Sequence, residues 1–228
     1  MKKLFLASSF KDVAPLFEQF AGDEQRHSQN KLCSRAAPEG ETSTPVRLKG
    51  KSVTFIPTAS VVEKVTFYVK SGKKALEAMG LIVDELELST ASADEIANKL
   101  TKNDFIYLSG GNTFFLLQEL RKSGADKLIA EQVAAGKLYI GESAGSIVAA
   151  PNIEFAKAMD SVKKAPELNG FDGMGLVDFT PVPHHTNAPF KKAVEKIIAE
   201  YGETLPLRPI NNHQAILVEG DAVRIESV

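Results

Sequence analysis

The sequence predicts an α/β fold, a three-layer sandwich in which helices cover both faces of a mainly parallel sheet. Short apolar runs typical of buried strands alternate with stretches of helical periodicity along most of the 228 residues. Near the C-terminus two apolar runs flank Glu219-Gly220-Asp221, which is typical of a β-hairpin. A chain of this length with 43% hydrophobic residues can bury one substantial core, so we expect a single domain over residues 1–228.

The first half of the chain contains four predicted strands, each followed by a helical pattern. Asp12 is suited to cap the first helix, which carries apolar residues on one face as far as Phe20. Gly80 is suited to end the second helix, because glycine readily adopts the left-handed conformation that follows many helices. The predicted strands are 3–7, 52–57, 81–88 and 104–108, and the helices that follow them begin near residues 12, 61, 92 and 113.

Residues 21–46 interrupt this alternation. The segment is rich in Glu, Ser, Thr, Pro, Gln and Arg and shows neither the period of a strand nor that of a helix. We therefore predict a mobile insertion, whose role as a lid, a partner site or a tolerated loop stays open.

The second half of the chain repeats the pattern of strand and helix, with one long irregular stretch. A helix over 125–135 precedes a strand at 138–140, which ends in a turn of glycine and serine. Residues 152–178 contain many glycines and acids and little periodicity. A strand over 179–182 and an amphipathic helix over 190–201 follow, before the hairpin.

Composition and charge exclude several classes of function. The net charge of -2 and the scattered lysines and arginines give no basic surface for nucleic acid. No run approaches the roughly 20 apolar residues that span a bilayer. The only cysteine, Cys33, has no second cysteine with which to form an internal disulfide. We therefore expect a cytoplasmic protein with no membrane or nucleic-acid partner; its oligomeric state stays open, with a homodimer among the options.

Residues 141–145, Gly-Glu-Ser-Ala-Gly, form a turn between a buried strand and a helix, the nucleophile turn. The small residues Gly141, Ala144 and Gly145 around Ser143 let strand and helix approach closely. Such a turn strains the backbone, exposes the serine hydroxyl and directs the next amide, that of Ala144, at the same point in space. An ordinary turn in which the serine is only a helix cap explains the same five residues, so their context decides.

Residues 109–113, Ser-Gly-Gly-Asn-Thr, form a second turn between a buried strand and a helix, the glycine turn. Paired glycines let backbone amides point outward, where they can bind an anion, while Asn112 or Thr113 caps the helix. Glycine turns are common in α/β folds, so chain geometry alone also explains this one.

A serine nucleophile needs a general base, and the best candidates lie in the histidine turn, residues 183–187. His184 and His185 follow a predicted strand, whereas His27 lies in the insertion and His213 lies beside the hairpin. Neighbouring residues of an extended segment point in opposite directions, which disfavours joint metal binding by the pair. One of the two is therefore the predicted base, with solvated loop histidines as the alternative.

Taken together, the three turns resemble those of the dipeptidase E (α-aspartyl dipeptidase) family of serine peptidases, to which cyanophycinase is related. The resemblance extends over nearly the whole chain and is carried by Gly110-Gly111-Asn112-Thr113-Phe114, Gly141-Glu142-Ser143-Ala144-Gly145 and Pro183-His184-His185-Thr186-Asn187. It implies a class I glutamine amidotransferase-like fold, a Ser143 nucleophile, and His184 as the base because it directly follows the proline. It also implies that the backbone amides of Gly111 and Ala144 form the oxyanion hole.

The chain departs from this family in two places. The family pattern places the acidic member of the triad shortly after the nucleophile turn, and Asp160 is our choice, although its offset from Ser143 differs slightly from the dipeptidase pattern. Glu154 is the alternative. Residues 21–46 are the second departure, because they have no counterpart that we can identify in the family.

The predicted function is hydrolysis of short peptides through an acyl-enzyme, without a metal or organic cofactor. If the chain shares the aspartyl specificity of the family, a substrate carboxylate needs a cation or several donors. The candidate substrate-binding residues are Arg208, Asn112 and Thr186, although Arg208 could equally be a surface residue or pair with an acid of the fold. The alternatives are an esterase with the same nucleophile turn and a non-catalytic binding protein. Glutamine amidotransferase activity is disfavoured, because its nucleophile is a cysteine and Cys33 lies in the insertion.

Overall fold

The computed structural model describes residues 1–30 and 48–228, apart from the side chains of residues 23–30. The strands in this part of the chain are β1 (Lys3–Ala7), β2 (Ser52–Ile56), β3 (Ile82–Glu85), β4 (Phe105–Leu108), β5 (Leu138–Glu142), β6 (Thr180–Val182), β7 (Leu207–Pro209), β8 (Gln214–Glu219) and β9 (Ala222–Ser227). The α-helices are α1 (Ala14–Asn30), α2 (Phe67–Ala78), α3 (Ala93–Lys102), α4 (Thr113–Ser123), α5 (Ala125–Ala134), α6 (Ala144–Ile147) and α7 (Lys191–Tyr201).

Seven of these strands form one mixed sheet in the order β3-β2-β4-β5-β1-β8-β9. Strands β1 to β5 are parallel, with Leu4 opposite Tyr139 and Val53 opposite Phe105. Strands β8 and β9 run antiparallel and end the sheet as a hairpin. The predicted α/β fold, with a mainly parallel sheet and a C-terminal hairpin, is therefore confirmed.

The core is divided by the sheet into two layers, because alternate residues of each strand point to opposite faces. Phe5 and Phe55 lie on the face that α1 and α2 cover, where the rings of Phe5 and Phe17 meet edge to face at 5.4 Å. Leu4 and Leu6 lie on the opposite face, in the cluster that includes residues of α3 to α7. Helices on both faces of the sheet make the three layers that the sequence predicts.

Helix α4 shows how local residues fix the ends of an element. The side chain of Asn112 accepts a hydrogen bond from the backbone N–H of Phe115 at 3.0 Å, which is the predicted N-cap. Gly124 ends the helix in the left-handed conformation, with φ of 73°. The cap fixes the backbone directly after Gly110 and Gly111, and so helps to hold the glycine turn.

Two elements differ from the predictions. Helix α2 begins at Phe67 and not at residue 61, because the apolar residues of the intervening segment, such as Val61 and Val65, are exposed and do not face the core. Strand β6 does not join the main sheet but pairs with β7 in a separate two-stranded parallel sheet. The histidine turn therefore follows a strand of this small sheet.

Helix α1 continues to Asn30, through the first ten residues of the segment predicted as an insertion. The remainder of that segment, residues 31–46, lies outside the described residues, so its mobility stays a prediction. No helix in residues 1–30 and 48–228 has the length and apolar character needed to cross a bilayer.

Candidate active site

Ser143 lies directly after β5 on a strained turn. Its φ of 50° and ψ of -107° lie outside the regions that a serine normally occupies. Close packing holds this conformation: a Cβ added to Gly141 would lie 2.6 Å from the Gly145 carbonyl oxygen, and one added to Gly145 would lie 2.2 Å from the Leu108 carbonyl oxygen. Both positions therefore require glycine, as the sequence of the nucleophile turn predicts.

A histidine lies within hydrogen-bond distance of this serine. The Oγ atom of Ser143 is 2.9 Å from Nε2 of His184, which itself has a positive φ of 65°. The hydroxyl of Ser8 supports the histidine turn. It accepts a hydrogen bond from the backbone N–H of His184 at 2.9 Å and donates one to the Ile210 carbonyl at 3.1 Å. The ring of Phe190 stacks on the imidazole with centroids 4.8 Å apart. The structure thus brings the predicted nucleophile and base together.

The second nitrogen of the His184 ring contacts an amide oxygen. His184 Nδ1 lies 2.9 Å from Asn212 Oδ1, and the backbone N–H of Asn212 donates to Asn187 Oδ1 at 2.9 Å. Because the amide oxygen can only accept, Nδ1 carries the proton and Nε2 offers its lone pair to the Ser143 hydroxyl. Burial lowers the pKa of His184, and the hydrogen bond with Asn212 opposes that shift only in part. The ring is therefore neutral near pH 7, as a general base must be.

Asp160, predicted as the acidic member of the triad, is bound elsewhere. Its Oδ2 accepts hydrogen bonds from the backbone N–H of Thr113 at 3.0 Å and from the Thr113 hydroxyl at 2.5 Å. The alternative, Glu154, is exposed and pairs with Lys157 at 2.7 Å. The structure therefore does not place Asp160 on the His184 ring, as a third triad member requires: the start of α4 holds its carboxylate, and Asn212 contacts the histidine.

The two predicted oxyanion residues lie on the two turns beside the nucleophile. Ala144 begins α6, and the first N–H groups of a helix have no partner within it. Gly111 has φ of 139°, and a Cβ added to it would lie 2.2 Å from the carbonyl oxygen of Ala59. A Cβ added to the preceding Gly110 would lie 3.3 Å from Ser143 Cβ, so the glycine turn packs directly against the nucleophile turn.

Glu142, directly before the nucleophile, is buried between the same two turns. Its carboxylate accepts hydrogen bonds from the Tyr107 hydroxyl at 2.7 Å, from the backbone N–H of Phe10 at 2.9 Å and from the backbone of Gly110. Burial raises the pKa of Glu142, and these three bonds oppose the rise. The side chain therefore ties the end of β5 to the glycine turn.

The serine and the histidine open onto a cavity of about 720 Å³. Asn112 lines this cavity, but its side chain already caps α4 and donates a hydrogen bond to the Ser161 carbonyl at 3.2 Å. Thr186 and Arg208 are exposed and do not line the cavity. Arg208 lies on β7 of the small sheet and Thr186 lies in the histidine turn, so the substrate-binding role of these two residues stays a prediction that no contact with the cavity supports.

Three residues that complete the site were not predicted. Ser8 follows β1, a central parallel strand, and the carboxyl end of such a strand is a general signal for a ligand-binding edge. Asn212 belongs to a polar pair before the hairpin, a weak signal because such pairs also form ordinary turns. Phe190 carries no signal that separates it from a core residue of the following helix.

Comparison with known proteins places the chain in a family. The family model of peptidase family S51 matches residues 42–226. Over 223 residues the chain is 53% identical to an uncharacterised peptidase of Listeria monocytogenes, which covers 98% of this chain and 97% of that protein. It is also 37% identical over 138 residues to peptidase E of Salmonella arizonae, covering 60% of this chain and 57% of that protein.

Solved structures agree with this result. A crystal structure of a Listeria monocytogenes EGD-e protein assigned as a peptidase E matches with a TM-score of 0.86 at 53% identity, covering 100% of this chain and 99% of that one. The fold alone is shared with a peptidase from an acI-B1 Actinobacterium, with a TM-score of 0.68 at 18% identity and coverage of 100% and 88%. Because the family model matches most of this chain, the chain belongs to peptidase family S51 and is a serine-type peptidase of the hydrolase class.

Proposed function

We propose that the protein hydrolyses short peptides through an acyl-enzyme formed on Ser143. The observation that carries the proposal is the 2.9 Å contact between Ser143 Oγ and His184 Nε2 at the strained nucleophile turn. Membership of peptidase family S51 supports the same chemistry. A cavity of about 720 Å³ suits a ligand of a few residues.

Acylation follows from the arrangement of the hydrogen bonds. His184 Nε2 takes the hydroxyl proton of Ser143 while Oγ attacks the scissile carbonyl carbon. The carbonyl oxygen becomes an oxyanion, which the backbone amides of Gly111 and Ala144 stabilise. The imidazolium then gives its proton to the leaving amine, the C–N bond breaks, and the acyl group remains on Oγ as an ester.

Deacylation uses the same imidazole. His184 Nε2 takes a proton from water, the hydroxide oxygen attacks the ester carbonyl, and the proton returns to Ser143 Oγ as the acid product leaves. Asn212 Oδ1 keeps the other proton on Nδ1 during both steps, so Nε2 alone exchanges protons. The Asn212 amide orients the His184 ring without adding a negative charge, whereas the carboxylate of a triad with an acidic third member adds one.

A fluorophosphonate probe tests the nucleophile. We expect one phosphonyl adduct on Ser143 by peptide mass spectrometry, absent in Ser143→Ala and retained in Ser161→Ala, a serine of the same cavity. An unreactive Ser143 in the wild-type protein would indicate a non-catalytic binding protein of this fold. A short-chain chromogenic ester hydrolysed much faster than every dipeptide tested would indicate an esterase.

A further inference from the structure

Carboxylates outnumber lysines and arginines in the described lining of the cavity that holds Ser143. Among the described residues its lining includes four acidic side chains but only one lysine or arginine, Lys164. The ammonium of Lys164 lies 2.6 Å from a carboxylate oxygen of Glu63, so this charge is already compensated. Of the other acids, Glu142 is buried and held by three donors, which leaves Asp12 and Asp160 in the lining without an ion pair to any described residue.

The negative charge extends to the space beside the nucleophile. The ring of Tyr68 and the Cβ atom of Ser143 both lie beside Gly110: a Cβ added to Gly110 would be 3.6 Å from the Tyr68 ring and 3.3 Å from Ser143 Cβ. Burial raises the pKa of Tyr68 to about 12, and nearby carboxylates, Asp160 among them, add to the rise. A group that binds next to Ser143 therefore experiences a negative potential.

Asp160 has one carboxylate oxygen bonded and the other open. Oδ2 accepts both hydrogen bonds from Thr113, whereas no described residue donates a hydrogen bond to Oδ1. The charged groups whose fields reach Asp160 are Glu63 and Lys164, which pair with each other. Thr113 is two residues from Gly111, so Asp160 lies on the oxyanion side of the cavity.

The chemistry of the leaving group decides which part of a peptide lies near Asp160. His184 must protonate the leaving amine, so the residue after the scissile bond lies on the side of the histidine turn. The acyl residue then lies on the side of the glycine turn. In an N-terminal residue the α-ammonium is only two bonds from the scissile carbonyl carbon, and it therefore enters the region of Asp160.

We propose that Asp160 binds the α-ammonium of the substrate and that the site prefers neutral N-terminal residues to aspartyl ones. This inference rests on the proposed function and names its substrate class. A charge-assisted bond from the ammonium to Oδ1 would fix the scissile carbonyl against the oxyanion amides. An aspartyl side chain would bring another negative charge into a cavity whose described lining offers no unpaired lysine or arginine to receive it.

Three p-nitroanilides test the preference: those of alanine, of aspartate and of N-acetylalanine. For the wild-type protein we expect kcat/KM for the alanine substrate to exceed that for each of the others by about 10-fold or more. We also expect this kcat/KM to fall above about pH 8, where an α-ammonium loses its proton.

The variant Asp160→Asn removes the charge while its side-chain oxygen can still accept the bonds from Thr113. We expect its preference for the free over the acetylated substrate to drop by about 10-fold, mainly through KM, and the alkaline fall in kcat/KM to disappear. Asp221→Asn, a change of an exposed aspartate in the hairpin turn, is the matched control and should keep the preference.

Aspartate p-nitroanilide cleaved as fast as the alanine substrate would overturn the substrate assignment. An unchanged preference in Asp160→Asn would overturn the role of Asp160. Fluorophosphonate labelling separates these results from a failure of the proposed function. A labelled Ser143 with the wrong preference contradicts this inference alone, whereas an unlabelled Ser143 contradicts both.

Discussion

The nucleophile turn and the histidine turn meet at one hydrogen bond but are stabilised in different ways. In the nucleophile turn, tight backbone packing holds the strained serine: Gly141 packs against Gly145 within the turn, and Gly145 packs against the Leu108 carbonyl of the neighbouring strand β4. The histidine turn is instead held by side-chain hydrogen bonds, because the Ser8 hydroxyl binds the His184 backbone across 176 positions and the Asn212 amide binds its ring across 28. Changes to the glycines of the first turn should therefore reduce stability, and changes to the supports of the second should reduce activity in a folded protein.

The largest effect is expected from removing either reacting side chain. Ser143→Ala and His184→Ala should each lower kcat by about 10⁴-fold or more, and the double variant should be little worse, because the two groups act as a unit. Steady-state kinetics on a cleaved dipeptide measures this, with circular dichroism to confirm folding. His185→Ala is the control, since its side chain does not line the cavity, and its effect should be mild. A His185→Ala loss greater than that of His184→Ala would reverse the assignment of the base.

The glycines of the nucleophile turn are expected to affect the fold itself. Gly145→Ala would place a methyl group 2.2 Å from the Leu108 carbonyl oxygen, and should lower the free energy of unfolding by about 3 kcal/mol. Gly124→Ala is the matched control: its Cβ position is open, and only its φ of 73° is unfavourable, which costs about 1 kcal/mol. Urea denaturation measures both. Equal losses would show that close packing does not hold the turn.

Asn212 is expected to affect the chemistry and leave the fold intact. Asn212→Ala should lower kcat by about 10²-fold, because the ring loses the acceptor that fixes its tautomer. Asn212→Asp should retain orientation but favour the imidazolium, which raises the pKa of His184 from its present position below the ordinary value of 6.5.

The sign of the pH effect follows from the role of His184 as a base. Activity requires the neutral imidazole of His184. Because the pKa of His184 is lowered, the wild-type protein should stay active as the pH falls past the ordinary pKa of histidine and lose activity only when the pH reaches the lowered pKa. In Asn212→Asp this acidic limb of kcat/KM should move to higher pH. Identical acidic limbs in the two proteins would contradict a direct contact between residue 212 and the His184 ring.

Prediction from sequence succeeded where the determining contacts are local. The nucleophile turn was identified because five consecutive residues show the pattern of small residues around a serine, and the close contact between Gly141 and Gly145 lies within them. Ser8 and Asn212 could not be assigned in this way, because their roles depend on the strand order β5-β1-β8. That order places the end of β1 beside the end of β5 and the start of the antiparallel β8, and so brings Ser8 and Asn212 to the edge where Ser143 lies.

Asp160 and Arg208, two of the predicted site residues, lie away from their predicted partners for physical reasons of the same kind. A single sequence does not show that Thr113 and the start of α4 compete for the carboxylate of Asp160. The apolar neighbours of Arg208 suggest burial, but β7 pairs only with β6, and strand alternation leaves the middle residue of β7 exposed between two half-buried ones. The strands of the main sheet were predicted because their apolar runs report burial directly.

The smallest effect is expected at Ser8, whose hydroxyl contacts only the backbone of the histidine turn and not the His184 ring. Ser8→Ala removes the acceptor for the His184 N–H and the donor to the Ile210 carbonyl, both in a buried position. Because each lost hydrogen bond costs about 1 kcal/mol, we expect roughly a 10-fold fall in kcat/KM and a modest loss of stability. The acidic limb should stay in place, since the contact between Asn212 and the ring is retained.

Ser9→Ala is the control for this change, because Ser9 lines the same cavity as Ser8 but no described residue forms a hydrogen bond with its hydroxyl. Parallel measurements of kcat/KM and urea denaturation on the two variants separate the support of the histidine turn from the effect of removing a hydroxyl from the cavity wall after β1. If Ser8→Ala and Ser9→Ala behave alike, the histidine turn keeps its positive φ without help from β1. The dependence on distant segments would then reduce to Asn212, and the two turns would differ less than their contacts indicate.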